Sequence, residues 1–291
     1  LNVVVKRRDK THTVLHKDFK PAPTTITETF SLAEAPYRDG DITIEATAVD
    51  ASYANFGDGN KQTLSKPCVL DTTPPRLTVL SPAHNVRHGG AGCLVYSLNE
   101  DPVFTGVRVG KRFFPGHRQY DGNYASLFAF PYDMEFADFS PRLVAVDQAG
   151  NEASLAFPLH RIKRAFKNDV INLPDSFLER KMPEFAQEVP GQMSHLERFL
   201  EVNRKLRAEN RATLKSICDN TAPSPLWKGS FVRMKGKTMA TFGDRRAYRH
   251  QGKDVDHQTH LGVDIASLRH AKVPAANSGT VVFADNYGIY G

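Results

Sequence analysis

The sequence predicts a mainly β, multidomain chain: two β-sandwiches in tandem, a helical connecting section, and a further β-rich section that carries the chemistry. Three observations support that order. The 291 residues exceed what a single core organises, at roughly 150 residues per domain. A set of landmarks recurs once within the first half of the chain. Apolar residues alternate with polar ones there, switch to helical spacing between Arg161 and Pro223, and return to short strand-like runs afterwards.

The repeat defines the first two units. Ser31-Leu32-x-x-x-Pro36-Tyr37 returns 95 residues later as Ser126-Leu127-x-x-x-Pro131-Tyr132, Ala48-Val49-Asp50 returns 97 later as Ala145-Val146-Asp147, and Gly59-Asn60 returns 91 later as Gly150-Asn151. That period is the size of an immunoglobulin-type sandwich. Ile42, Ile44, Ala46 and Ala48 alternate with Thr43, Glu45, Thr47 and Val49, as in a strand with one buried face. Each Ala-Val-Asp runs into a turn of glycine and asparagine, residues that tolerate positive φ. Asp50 and Asp147 are expected to stabilise these turns; no dense oxygen-ligand loop surrounds either, as a calcium site would require. Asp71-Thr72-Thr73-Pro74-Pro75 separates the copies, its prolines stiffening the junction, and Arg76 to Leu80 opens the second. The Asp-x-x-Pro-Pro junction and Ala-x-Asp…Gly-Asn turn resemble the bacterial immunoglobulin-like modules of envelope proteins.

Helix follows. Ser194-His195-Leu196-Glu197 fits a capping box, and Leu196, Phe199, Leu200, Leu206, Leu214 and Ile217 form an apolar stripe. A helix of about 20 residues is expected to end near Cys218, with a shorter one over Leu173 to Phe185 ending near Pro183. The expected divisions are therefore 1–73, 74–161, 162–224 and 225–291.

In the last section strands are expected at Phe231–Met234, Met239–Phe242 and Gly279–Ala284. Within it lies His260-Leu261-Gly262-Val263-Asp264. Histidine and aspartate both ligate zinc. Gly262 and the β-branched Val263 and Ile265 argue against a helix, yet an extended strand at ~3.4 Å per residue would set the two Cα atoms roughly 14 Å apart. The chain is expected to bend between them, at Gly262. His250 and His257 are expected to be solvent-exposed, the latter in a polar turn over Asp254 to Thr259.

Phe242-Gly243-Asp244-Arg245-Arg246-x-Tyr248, His260-x-Gly262-x-Asp264-Ile265-Ala266, Pro274-x-Ala276 and Gly279-x-Val281-Val282 together resemble the lysostaphin/LytM-type zinc metallopeptidases, which cut peptide bonds in bacterial peptidoglycan. The resemblance covers about 227 to 291, the first half of such a β-rich domain. It implies a zinc cofactor with His260 and Asp264 as ligands, Arg245 and Tyr248 beside the substrate groove, and peptidoglycan peptide stems or cross-links as partners. The third ligand and the catalytic histidines are expected downstream of Gly291, so this polypeptide alone is expected to be inactive. It also implies a bacterial envelope location, periplasmic or extracellular, with room for a membrane anchor upstream of Leu1.

Composition narrows the alternatives. Forty per cent apolar and 24% charged residues with a mean hydropathy of −0.42 describe a globular chain, not a disordered polyelectrolyte. Lysine and arginine, 38 against 32 acidic residues, favour anionic partners. Nucleic acid is not among those expected: the segment from Leu226 carries ten basic residues against five aspartates but no basic motif interleaved with aromatics. There is no His-Glu-x-x-His helix, nucleophile elbow, phosphate loop or Cys-x-x-Cys pair. Cys68, Cys93 and Cys218 are too few for a disulfide scaffold, and whether Cys68 and Cys93 pair stays open, as does the oligomeric state. The rival to a peptidase is a non-catalytic envelope protein that binds wall peptides or activates another hydrolase.

Overall fold

The computed structural model describes residues 1–20, 23–32, 37–54, 56, 59–219 and 221–290. The repeat landmark Pro36 lies outside them. The chain is mainly β and multidomain, with eighteen strands among the described residues. No helix among them is long and apolar enough to cross a membrane. The chain folds as two compact units: Leu1–Leu77 with Leu98–Phe104 and Val144–Ser154, and Thr78–Ser97 with Thr105–Leu143 and Leu155–Gly291.

The first unit is built on a four-stranded sheet. Its strands β1 (Asn2–Arg7), β2 (Lys10–His16), β3 (Gly40–Val49) and β4 (Lys61–Leu70) lie in the order β2-β1-β3-β4. The alternation in β3 does its work at Ile42, which is buried with Val5 and Leu70 while Tyr37 and Ile44 pack against them. The junction after β4 is pinned by Asp39, whose carboxylate accepts from Thr72 N at 2.9 Å and Thr72 Oγ1 at 2.7 Å.

The repeated turn is the same structure twice. Asp50 accepts from Ser52 N, Asn60 N and Asn60 Nδ2, and Asp147 accepts from Ala149 N, Asn151 N and Asn151 Nδ2. In both, the aspartate N–H donates to the asparagine carbonyl. The first copy makes this closure across ten residues and the second across four. That six-residue difference is why the repeat offset falls from 97 to 91.

Strands β5 (Leu77–Val79), β6 (Asn85–Arg87), β7 (Ala91–Leu98), β8 (Phe104–Val109), β9 (Arg112–Arg118), β10 (Tyr124–Ala129), β11 (Arg142–Val146), β12 (Glu152–Ala156) and β13 (His160–Ile162) follow. All but β6 and β13, which pair in parallel, form one sheet in the order β12-β11-β8-β9-β10-β7-β5. Leu94, Tyr96, Val107, Phe128, Phe130 and Phe139 are fully buried. Burial raises the Tyr96 hydroxyl to about 12 even though it accepts from Thr105 Oγ1.

The helical section belongs to the second unit and packs on a small sheet. Strand β14 (Asn168–Asn172) runs parallel to β16 (Arg245–His250), which pairs antiparallel with β17 (Lys253–Thr259). Gln251 and Gly252, both at positive φ, close that hairpin as a type I′ turn requires. Helix α1 (Asp175–Lys181) passes into a 3₁₀ turn at Met182–Phe185 containing Pro183. Helix α2 (His195–Glu201) starts on the expected capping box, Ser194 N donating to Glu197 Oε2 at 2.7 Å and Glu197 N to Ser194 Oγ at 3.2 Å. It continues through a π-turn, Val202–Leu206, into α3 (Arg207–Asp219). Leu173, Leu178, Met182, Phe199 and Tyr248 make the core between helices and sheet. Strand β15 (Lys237–Ala240) pairs antiparallel with β18 (Asp264–Ala266).

Two expected strands are absent from the described residues: Phe231–Met234 and Gly279–Ala284. Val281 is 81% and Val282 69% exposed; an apolar run with no neighbouring strand has nothing to exchange ladder bonds with. Cys68, Cys93 and Cys218 are free thiols.

Candidate metal centre

His260 and Asp264 are positioned by different parts of the fold. His260 follows the end of β17, where its N–H donates to Asp244 O at 2.8 Å and its carbonyl accepts from Gly243 N at 2.7 Å. Gly243 holds φ +88° there, and a Cβ would lie 2.3 Å from the Phe166 ring. Asp244 locks the same turn: burial works to raise its carboxyl, but bonds from Thr241 Oγ1 and Thr241 N outweigh that and leave it below its ordinary value. Asp264 opens β18 opposite Ala240 of β15.

Between them the chain bends at Gly262, as the spacing demanded, but not by means of glycine's special freedom. Gly262 is not among the glycines at positive φ. A Cβ there would touch the His260 ring at an ordinary 3.7 Å.

The bend brings His260 Nε2 to 3.2 Å from Asp264 Oδ1. That is ion-pair distance, yet hydrogen-bond geometry is not met, and Nε2 is a buried atom with no hydrogen-bond partner. Burial first, then the neighbouring Arg246 cation, lowers the His260 pKa from its ordinary 6.5 against the pull of Asp264 and Asp244. The imidazole is therefore neutral at pH 7, the form that ligates metals. Zinc takes histidine nitrogen at about 2.0–2.1 Å and carboxylate oxygen at about 2.0–2.2 Å, so a tetrahedral pair of ligand atoms stands about 3.4 Å apart. The observed separation and the orphaned nitrogen fit a zinc ion. Asp264 Oδ2 is engaged separately, accepting from Arg246 Nη2 at 3.0 Å.

The other expected site residues divide. Arg245 is exposed on β16 and lines a cavity with Arg246 and Arg211. Tyr248 is in the core instead of a groove: it is 6% exposed and meets Phe199 edge-on with ring centroids 5.3 Å apart. Strand parity explains this, since Tyr248 points to the helix-covered side of the sheet. His257 lies in strand β17, not in a turn. His250 is largely buried, bonding Leu173 O at 2.9 Å through Nδ1. The repeat's two tyrosines also differ: Tyr37 packs in the first core, whereas Tyr132 meets Phe242 edge-on at 5.8 Å and lines the cavity beside Arg245.

Sequence reasoning missed the network that seats β17. Asn203 Nδ2 donates to Asp256 Oδ2 at 2.6 Å, Arg204 Nε donates to Asp256 Oδ1 at 2.9 Å, and Asn203 Oδ1 accepts from Arg207 Nε and Nη2. Gln258 Nε2 donates to Asn203 O. The sequence signal was an asparagine on the apolar stripe of a helix.

Elsewhere, in the first unit, Asp71, Glu100 and Asp147 bring carboxylate oxygens within 4.8 Å of one another. Each also accepts a hydrogen bond within its own loop, from Thr73 N, Asn99 Nδ2 and Ala149 N respectively; the turn bonds of Asp147 are as expected, whereas its carboxylate neighbours Asp71 and Glu100, remote in sequence, were not.

No family model matches the chain, and no curated protein matches it. Among solved structures it is similar to the N-terminal Ig1-2 module of the Drosophila receptor protein tyrosine phosphatase DLAR, at 15% identity over 35% of this chain and 61% of that one, TM-score 0.24. It is also similar to a Ca2+-stabilized adhesin with which an Antarctic bacterium binds ice, at 15% identity over 59% of this chain and 45% of that one, TM-score 0.22. The chain thus spans less than two thirds of either.

Proposed function

We propose that His260 and Asp264 are two ligands of a zinc-dependent endopeptidase that cleaves peptide cross-links of bacterial peptidoglycan, working in the cell envelope. The observation that carries this reading is the buried, partnerless His260 Nε2 held 3.2 Å from Asp264 Oδ1. Zinc bound there would supply Lewis acidity toward the scissile carbonyl and lower the pKa of a water. The chain's own residues prepare the place. The Gly243–Asp244 turn holds the backbone of His260, burial keeps its imidazole neutral, and Arg246 holds Asp264 by one oxygen while the other faces the histidine.

A non-catalytic wall-binding role is the second reading. One titration series separates the two. Under the enzyme reading, His260→Ala and Asp264→Ala each weaken zinc binding at least 100-fold by calorimetry, and the same changes in the protein extended past Gly291 abolish release of peptides from purified peptidoglycan. Zinc affinity and hydrolysis that survive both substitutions would sink the enzyme reading.

A further inference from the structure

Beside the candidate metal centre is a cavity of about 560 Å³ that the zinc chemistry does not use. Arg211 of α3, Arg245 and Arg246 of β16 and His257 of β17 line it, with Tyr132 on one side. Asp169 of β14 is the one carboxylate in its lining, against three arginines; alternation along β16 sends Arg246 to the helix-covered face that Tyr248 shares and Arg245 to the opposite, exposed face. Two of the three are committed only in part. Arg211 donates through Nη2 to Thr259 O at 3.1 Å, but its Nε is buried without a hydrogen-bond partner. Arg246 spends Nη2 on Asp264. Arg245 is exposed and forms no ion pair among the described residues.

Such a lining carries a cost. A buried guanidinium N–H without an acceptor incurs a desolvation penalty that no hydrogen bond offsets, and neighbouring like charges repel. The crowding is felt nearby: burial, together with the charges of Arg211 and Arg246, lowers the Arg207 pKa from its ordinary value. An anion with planar, paired acceptor oxygens removes both costs, and guanidinium forks match a carboxylate in that way.

We propose that this cavity is an anion subsite that receives a free carboxylate of the peptide substrate. The assignment of the anion to a peptide rests on the metallopeptidase reading above. The link between the sites is Arg246, which lines the cavity and also holds Asp264. A carboxylate seated here is therefore anchored one side chain away from the ligand pair, where binding energy orients the peptide bond to be cut.

The test is calorimetry on the 291-residue chain in a chelator, so that metal plays no part. The probes are diacetyl-L-Lys-D-Ala-D-Ala and its C-terminal amide. The acid is expected to bind at least tenfold more tightly than the amide, and Arg245→Gln, at an exposed position and checked for native circular dichroism, is expected to bring the ratio below threefold. Arg211→Gln, checked for native circular dichroism, should do the same. His260→Ala should leave the ratio intact, so a failure of the zinc reading and a failure of this one give different results. Equal binding of acid and amide overturns the proposal, as does a ratio unchanged in Arg245→Gln. Arginine-dependent binding of inorganic phosphate with no preference for the peptide acid also overturns it.

Discussion

Asn203→Ala is expected to destabilise the second unit by about 2–3 kcal/mol, far more than an ordinary polar truncation on a helix. The side chain is 1% exposed and satisfies two charged neighbours at once. Removing it strands one oxygen of Asp256, itself 9% exposed, and takes from Arg207 the acceptor of its Nε and Nη2. Each buried polar group left without a partner costs about 1–3 kcal/mol. Three corrections pull the sum down. Arg204, which still faces Asp256, is half exposed and lets water reach that carboxylate. Alanine is the better helix former by up to roughly 0.7 kcal/mol. Arg207 is only partly buried and recovers some hydration. The assay is equilibrium urea unfolding followed by far-ultraviolet circular dichroism, with the exposed Glu209→Ala as control, expected within about 0.5 kcal/mol of the unsubstituted chain. If Asn203→Ala loses less than about 1 kcal/mol, the network does not seat β17.

Two further outcomes follow from the same structure. Gly243→Ala forces a Cβ to 2.3 Å from the Phe166 ring at φ +88°, where an L-residue already loses roughly 1–2 kcal/mol; thermal melting should drop, and zinc affinity by calorimetry should drop with it, because the displaced turn carries both backbone bonds of His260. The first unit should lose stability as pH falls below the ordinary carboxylate range. Asp50 is held low by bonds from Ser52 and Asn60, and Asp147 is held low by Asn151, Ala149 and Gly150 against the upward push of burial. The unfolded chain therefore takes up protons first: the contribution is complete above about pH 4 and is lost as pH falls through the lower folded values. Calorimetric melting from about pH 7 to about pH 2.5 should show the loss, and Asp50→Asn should flatten it; a parallel pair of curves would contradict the assignment.

What is legible in the sequence is local. The two aspartate turns can be read because each is closed by its own asparagine, ten residues on in the first copy and four in the second. The α2 start can be read because a capping box is four consecutive residues, and the bend between His260 and Asp264 follows from reach alone. What escapes depends on partners distant in the chain. Tyr248 stands in the core and not at a groove because strand alternation says that two faces exist without saying which one α2 will cover; that is decided by Phe199, forty-nine residues earlier. The parallel pairing of Asn168–Asn172 with Arg245–Arg249 has no local signature, since register between remote strands is set by what packs on them. The apolar run Val281–Phe283 shows the converse, strand propensity without a neighbour to realise it.

The same distinction bears on how the candidate centre is built. His260 is fixed through its backbone by the Gly243–Asp244 turn, while Asp264 is fixed through its strand by β15 and through its carboxylate by Arg246. None of these interactions requires a metal. The two candidate ligand atoms therefore already stand 3.2 Å apart, near tetrahedral spacing, so folding and not metal binding would carry the cost of bringing them together. The arrangement also sets a direction of dependence: changes that loosen the turn or the helical network should weaken zinc binding, whereas His260→Ala, which removes a candidate ligand but none of those backbone bonds, should leave the urea midpoint nearly where it was.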